Sequence, residues 1–511
     1  MNRDGQLVSC WQEMPAYQPR NRYSPNTEYD VVIIGAGITG ITTALLLQNA
    51  GKKCLVSEAR NIGFGTTGGT TAHINTVLDT PYYTISKNFG EEDAKLVHQA
   101  AVEALNLIRK NVAQYNISCG FEEKTAYLFS PRKELNEELE KIVNSSISVG
   151  VDMAFVNENP VPVPFTAIAR FSGQAQFNPI QYVYALANAF EEAGGVMLQE
   201  NLVSEVKEEI PLQVHSSNGI IKAKNVIYAT HTPPGINLLH LRLVAWRSYA
   251  MAVRINGKYP DALVYDTENP YHYFRTQEID GEKYMIAGGE DHKTGQELNT
   301  DKCFHNLEAY LRNHFDIEEI KWKWSSQFYE TVDGLPYIGH YPMHPENIFV
   351  ATGFAGNGMT YGTLSAIILS DLIVSGKSPY AELFDPNRLK PIAGFAEFAS
   401  AAAEVVSNII SKPFNAEKLV VLAELAPGEG KIVKYEGEKI ALYKDEDGKI
   451  WGISPTCNHM GCSINWNNAE KSWDCPCHGS RFNKYGEMLN GPAVKDQHRV
   501  GMEEIAHHTH K

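Results

Sequence analysis

The hydrophobic pattern changes character twice along the chain. Residues 29–34, YDVVII, form a short apolar, β-branched run that ends in GAGITG, and the following ITTALLLQNAGKK places apolar residues at Ile41, Ala44, Leu45 and Leu47. That order predicts a buried strand, a glycine turn and a helix. CLVSEAR is a second strand ending at Glu58, VIYAT at 226–230 is another, and NIFVATGFAGNGM at 347–359 repeats strand into glycine turn into helix. Past residue 390 the alternation stops. PIAGFAEFASAAAEVVSNIISK, with Ile392, Phe395, Phe398 and Val405 on one face and Lys412-Pro413 at its end, predicts a linker helix over 391–415. From 416 to 511 short alternating segments, KIVKYEG, KIALYKDEDG and KIWGIS, are split by Gly and Asp turns and predict an all-β module.

Length and composition bound this picture without altering it. A chain of 511 residues has room for two to four domains, and 43% hydrophobic with 21% charged residues is an ordinary globular balance. A formal charge of −15 argues against nucleic acid and against acidic membrane surfaces. The start, MNRDGQLVSCWQEM, lacks the pattern of a secretory leader, and no run reaches the roughly 18 apolar residues of a membrane span. A cytoplasmic protein is expected. Four of the eight cysteines, Cys10, Cys54, Cys119 and Cys303, are scattered singly and the other four crowd between 457 and 477, a distribution unlike a secreted disulfide scaffold.

The glycine turn carries the first chemistry. Gly35 permits the tight turn, Gly37 lets the backbone approach a pyrophosphate, and Gly40 lets the helix pack on the strand, while the helix amino terminus offers free N–H groups to phosphate. Glu58, at the end of the second strand, suits the ribose hydroxyls of an adenosine. The dinucleotide could be NAD or FAD. No second complete fingerprint follows, which disfavours a flavoprotein reductase built on two dinucleotide folds. Gly353, Gly356 and Gly358 suit a backbone passing close to a large flat ligand.

The second chemistry is a group of six soft donors: Cys457, His459 and Cys462 in CNHMGC, and Cys475, Cys477 and His478 in CPCHGSRF. One tetrahedral metal takes four donors, so two are spare or the bound object is not a single metal.

GAGITG with Glu58, GFGTTGGTTAH, TVDGLPYIG at 331–339, ATGFAGNGM at 351–359 and FDPNR at 384–388 resemble the D-amino-acid oxidase and glycine oxidase family of FAD-dependent oxidoreductases, over about residues 28–390. The resemblance implies an α/β FAD-binding fold of the glutathione-reductase type. Its FAD segments would span about 28–75, 170–235 and 330–390, interleaved with an antiparallel-sheet substrate domain, and residues 1–27 would be an extension. It implies FAD contacts from Gly35, Ala36, Gly37, Ile38, Thr39, Gly40, Glu58, Ala59, Arg60, Thr66, Thr67, Thr71, Val203, Ala229, Gly353, Gly356, Asn357, Gly358 and Met359. One departure matters. Amino-acid-oxidising members carry an arginine about five residues before the aspartate of the DGLP motif; here the position is Phe328, which cannot grip a carboxylate. Arg275, in YHYFRTQ, is the candidate substitute substrate contact. No side-chain base is evident.

C-x-H followed about fifteen residues later by C-x-x-H is the spacing of a Rieske [2Fe–2S] centre, and residues 448–493 resemble Rieske domains almost continuously. The resemblance implies Cys457 and Cys475 on one iron, His459 and His478 on the other, and Cys462–Cys477 as the loop-tying disulfide of the cytochrome-complex type. A zinc site would leave the extra pair without a role. Gly491-Pro492 would cover the cluster. Ser480 stands at the serine of high-potential members, whereas their tyrosine is Phe482, so the potential is expected inside the Rieske range of about −150 to +300 mV but below its top.

The expected function is therefore oxidation of a small organic substrate, most simply an amine, by FAD, with electrons leaving singly through the cluster to an external one-electron acceptor. The alternatives are a redox sensor and an electron-transfer protein in which the cluster feeds the flavin. A Rieske oxygenase would need a mononuclear iron site, and the tail His507, His508 and His510 is a poor candidate for one.

Overall fold

The computed structural model describes residues 4–388, 425–435 and 438–500. The expected linker helix over 391–415 and the histidine tail lie outside the described residues.

The first sheet grows from strand Glu28–Ile34, which pairs in parallel with Cys54–Ser57 on one side and Gly219–Tyr228 on the other. Val196–Leu198 and Ile348–Thr352 extend it in parallel, and Tyr337–His340 closes one edge antiparallel. Its central strands are covered on both faces, which is why they read as continuous apolar runs rather than alternating ones. Helices Ile38–Asn49, Glu91–Gln114, Pro179–Glu192 and Gly358–Ser375 contribute to the largest core cluster. Gly358–Ser375 is the one helix among the described residues long and apolar enough to cross a membrane by length and composition, which the sequence had not suggested. Here 56% of that window is buried against the rest of the molecule.

The second sheet has nine strands among the described residues, with Ile317–Thr331, Leu243–Ile255, Glu282–Lys293, Tyr273–Ile279, Leu263–Asp266, Glu122–Ser130, Ala167–Gln176 and His73–Ile74 in spatial order and Met153–Phe155 also paired to Ala167–Gln176. It is antiparallel except where Leu263–Asp266 runs parallel to Glu122–Ser130. Strands His73–Ile74 and Ala167–Gln176 were expected in or at the border of the FAD segments; both pair within this sheet instead. The chain thus crosses between the sheets right at the cavity they enclose.

Residues 430–500 form two four-stranded sheets, one of Gly430–Tyr435, Glu438–Lys444, Ile450–Ile453 and Arg499–Val500, the other of Asn465–Asn467, Ser472–Asp474, Arg481–Asn483 and Met488–Asn490. The cluster loops sit at the base of the second.

The amino-terminal residues, expected as an extension, are built into the molecule. Asp4 is buried against Arg481, whose guanidinium also pairs with Asp474 at 3.1 Å. Ser9 donates to the Gly68 carbonyl at 2.5 Å and Trp11 to that of Thr70 at 2.7 Å. This segment therefore ties the all-β module to the turn after Glu58. Across the same interface Glu470 accepts from Ser325 N–H and Oγ at 2.9 and 2.7 Å and lies 3.6 Å from Arg247, with both charged side chains fully buried. Buried charges survive only when paired, so these contacts hold the two parts in one register.

Candidate functional site

The helix Ile38–Asn49 begins at Gly37, which has no side chain to cap it, and has no acidic residue in its first turn; Thr67 Oγ1 accepts the Ile38 N–H at 3.1 Å, and the next N–H groups of its positive end are left for a ligand. Gly35 has φ +106°, and a Cβ there would lie 2.5 Å from the Ala229 carbonyl oxygen. A Cβ at Gly40 would lie 1.9 Å from the Gly35 oxygen, so that glycine serves helix packing, as expected, and does not face the ligand space. Glu58 accepts from the N–H groups of Ala36 at 2.8 Å and Arg60 at 2.9 Å, fixing the turn from the adjacent strand.

A cavity of about 300 Å³ opens at this helix end and runs between the two sheets. Gly35, Ala36, Gly37, Ile38, Thr39, Glu58, Ala59, Arg60, Thr66, Thr67, Thr71, Val203, Ala229, Gly356, Gly358 and Met359 all line it. Gly353 and Asn357 do not. A Cβ at Gly353 would strike Thr331 Cγ2 at 2.3 Å, so its glycine answers to strand packing, and Asn357 accepts the Asp79 N–H at 2.8 Å to join two loops. A cavity that begins at a helix amino terminus, with a glycine cradle and a carboxylate there, and runs on between two sheets fits a flavin dinucleotide.

The far end of the cavity was not legible in the sequence. Asp79, Tyr265, Tyr271, Tyr273 and Phe328 line it, and Arg60, at the opposite end, is the one lysine or arginine among the described residues that line it. Asp79 is open to the cavity though protein encloses its other sides, and burial raises its carboxyl above the usual carboxylate range. Its Oδ2 accepts the Gly356 N–H at 2.7 Å. Behind it, burial pushes Asp291 up to about 7, and burial with the Asp79 charge does the same to Glu330. Arg275 does not serve this site. Strand alternation sets it on one face with Tyr271 and Tyr273, but that stretch of the face is filled by backbone. Its guanidinium is fully buried and donates to the carbonyls of Thr71 and Ala72 at 2.8 Å and Phe177 at 3.2 Å.

The cluster loops are two copies of one turn. Cys457 N–H donates to Cys462 O at 2.7 Å and Gly461 N–H to Cys457 O at 3.0 Å; Cys475 N–H donates to Ser480 O at 2.9 Å and Gly479 N–H to Cys475 O at 3.1 Å. Each copy needs its glycine, with φ +80° at Gly461 and +75° at Gly479. Cys462 and Cys477 are joined as a disulfide, the pair the resemblance implied. The sulfurs of Cys462, Cys475 and Cys477 lie within 4.8 Å of one another, but the disulfide uses two of them and leaves Cys475 as a donor.

The remaining four donors converge. Cys457 and Cys475 are buried free thiols that hydrogen-bond each other, which with the Ser480 hydroxyl lowers Cys457. The rings of His459 and His478 are 5.0 Å apart. His459 Nδ1 and both ring nitrogens of His478 are buried without a hydrogen-bond partner. Burial holds both imidazoles neutral, with His478 pushed down to about 4, the form a metal requires. Two thiols and two neutral imidazoles, each with an unpartnered ring nitrogen, suit a mixed-ligand iron–sulfur cluster. Phe482 is fully buried and offers no donor.

The two sites face each other. Tyr329, which lines the cavity, donates to the His478 carbonyl at 3.2 Å, and Gln327 donates to that of Gly479 at 2.9 Å. Met488, Asn490, Gly491 and Ala493 of the all-β module line the cavity directly.

Residues 30–372 match the FAD dependent oxidoreductase (DAO) family, to which the chain belongs, and residues 417–502 match the Rieske [2Fe-2S] domain; the chain binds FAD and a [2Fe–2S] cluster. Among individual proteins, it is 33% identical over 481 residues to YhfW of Bacillus subtilis (strain 168), which carries the name of a Rieske 2Fe-2S iron-sulfur protein, covering 94% of each chain. Gamma-glutamylputrescine oxidoreductase of Escherichia coli (strain K12) is 21% identical, over 70% of this chain and 86% of its own. The structure of glycine oxidase from Geobacillus kaustophilus superposes with a TM-score of 0.60 at 19% identity, over 71% of this chain and 99% of that one, a likeness of fold.

Proposed function

We propose that the chain oxidises an amine that lacks a carboxylate beside its nitrogen and delivers the electrons, one at a time, to an external acceptor. The observation that carries this is the charge of the cavity's far end. A carboxylate, Asp79, and three tyrosines stand there with Phe328, and among the described residues no guanidinium or ammonium reaches in. Such a wall attracts an alkylammonium through ion pairing and through the faces of its rings, and repels a carboxylate. Kinship with an oxidoreductase named for gamma-glutamylputrescine supports an amine.

Bound in this cavity, FAD supplies the acceptor for a hydride from the carbon next to nitrogen, and the [2Fe–2S] cluster supplies one-electron exchange. The residues we assign to these groups are the cavity-lining set around Gly35–Thr39, Glu58 and Thr66–Thr67 for FAD, Cys457 and Cys475 for one iron, and His459 and His478 for the other. Asp79 orients the ammonium, and the sheet strands exclude water around it. The substrate nitrogen must shed its proton before hydride loss; Asp79, raised by burial, is the group positioned to take it. The buried, unpaired Cys10, Cys54, Cys119 and Cys303 accord with the reducing cytoplasm in which we place the protein.

Anaerobic mixing with a set of mono- and diamines, glycine and D-alanine tests this directly. Flavin bleaching by an amine without a neighbouring carboxylate, faster than by either amino acid, is expected; preferential bleaching by glycine or D-alanine overturns the substrate class.

A further inference from the structure

The all-β module carries the cluster, and it also supplies one wall of the flavin cavity. Six of its residues line that cavity: Met488, Leu489, Asn490, Gly491, Ala493 and Val494. They stand at the end marked by Glu58, because Arg60, whose backbone N–H is bound to Glu58, donates from its guanidinium to the Met488 carbonyl at 2.8 Å. Leu202 lines the cavity beside them and packs against the module's own core.

This segment is pinned from several sides. Met488 N–H donates to Asp496 Oδ1 at 2.8 Å and Asn490 Nδ2 to Asp4 Oδ2 at 2.9 Å. Gly235 N–H donates to the Pro492 carbonyl at 2.9 Å and the Tyr329 hydroxyl to that of Gly491 at 3.4 Å. Ala493 N–H donates to the Ser480 hydroxyl at 3.0 Å, so the far side of the same turn rests on a cluster loop. Strand alternation turns Met488 into the module's core and Leu489 the other way, and Leu489 is not part of that core. The half-buried Leu489 side chain instead has the cavity to face. The neighbouring carboxylates, Glu487 and Asp496, do not line the cavity. The wall therefore presents apolar side chains and backbone, with no negative charge, to a ligand that carries two phosphates.

We propose that Met488–Val494 is part of the FAD-binding site, closing the Glu58 end of the cavity over the dinucleotide. The contact exists only while the module is docked, so FAD binding and docking stabilise each other. Strand Met488–Asn490 is held by its pairing with Arg481–Asn483 and by Asp4, not by the cluster donors, so loss of iron alone leaves the wall standing. The inference rests on FAD binding and is independent of the substrate class and of the direction of electron flow.

Two measurements on the full chain test it without any amine. The first is amide hydrogen exchange, read by mass spectrometry on FAD-loaded protein and on protein depleted of FAD with its cluster retained. Residues 488–494 should exchange on the order of tenfold more slowly with FAD bound, while Ile450–Ile453, on the module's other sheet, should change little. No change at 488–494, or an equal change at both segments, overturns the proposal. The second is the rate of FAD release on dilution, followed by the rise of free-flavin fluorescence. Leu489→Ala should speed release by about tenfold through the lost apolar contact. Leu489→Asp should speed it further by repelling the phosphates. Both should keep the iron content and the cluster EPR signal of the unaltered protein, which a general loosening of the module would not. Release at the unaltered rate from both variants, with that signal intact, shows that the module does not touch FAD. Because the exchange measurement needs no substitution, it decides the matter even where a variant fails to fold.

Discussion

The two cofactor sites of this molecule are built on opposite principles. The cluster pocket comes from two neighbouring loops, 457–462 and 475–480, with the same hydrogen-bond pattern, and each loop supplies one thiol and one imidazole from Cys457 and His459 or from Cys475 and His478. The flavin cavity is assembled from segments hundreds of residues apart: Asp79 reaches it from one crossover, Phe328 from the longest strand of the second sheet, Gly356 from the turn before a late helix. A local site fails when one donor is lost. A dispersed one degrades in steps, because its neighbours keep its shape.

The largest effect expected follows from that difference. His478→Ala or Cys475→Ser should abolish the cluster, reducing iron to near zero with loss of the Rieske EPR signal, while FAD content stays close to one per chain. Loss of FAD along with iron would show that the two sites do not stand independently.

Breaking the brace should do less. With both Cys462 and Cys477 changed to Ser, the four donors remain, so a cluster should assemble, but the loops lose about 2–4 kcal/mol of restraint. The checkable result is a shortened cluster half-life on warming, with the initial EPR signal retained. Immediate and complete iron loss would make one of these cysteines a ligand.

This contrast also explains how much could be read from the sequence. The cluster donors and the glycine turn are local patterns, so spacing alone brings them into view. Arg275 misled for a physical reason: alternation within YHYFR correctly sets it on one face with Tyr271 and Tyr273, but which stretch of that face meets the cavity depends on the carbonyls of residues 71, 72 and 177, which no local pattern specifies. Asp79 lay in an unremarked loop, and its role comes from Gly356 and Asn357 across the molecule. Gly353 shares the glycine-rich texture of its neighbours yet serves packing against Thr331. The amino-terminal strap was invisible because its partners, Arg481 and the carbonyls of residues 68 and 70, belong to two separate parts of the chain.

At the dispersed site, Asp79→Asn keeps the acceptor for Gly356 N–H and removes the charge. A charge-assisted contact to an ammonium is worth about 1.5–3 kcal/mol, so kcat/KM for the best amine should fall by about ten- to a hundredfold. FAD and iron contents should be unchanged, and the apparent affinity for uncharged analogues should not fall. An unaltered kcat/KM would remove Asp79 from substrate recognition.

The smallest expected effect asks whether the dispersed site is also the more pH-sensitive one. His272 sits in the turn that presents Tyr271 and Tyr273, with its Nδ1 2.9 Å from Asp266 Oδ2 and its backbone N–H on Asp266 Oδ1 at 2.9 Å. Burial alone would lower this imidazole, but Asp266 and, more distantly, Glu290 overcome it and raise it to about 9. Because the folded value lies above the unfolded one of about 6.5, the pair stabilises fully below pH 6.5 and its contribution disappears as pH rises through 9. The amount is on the order of 1–3 kcal/mol for a buried pair of this kind. Asp291 and Glu330 are raised to about 7, so their destabilisation develops between their ordinary values near 4 and pH 7, largely below this window. Thermal unfolding followed from pH 6.5 to 9 should therefore show a falling midpoint that His272→Gln flattens, while the cluster EPR signal, whose ligands share no contact with this turn, holds steady across the same range. A midpoint independent of pH in the unaltered protein, or a slope that survives His272→Gln, would mean that this ion pair does not set the stability of the wall that carries the tyrosines.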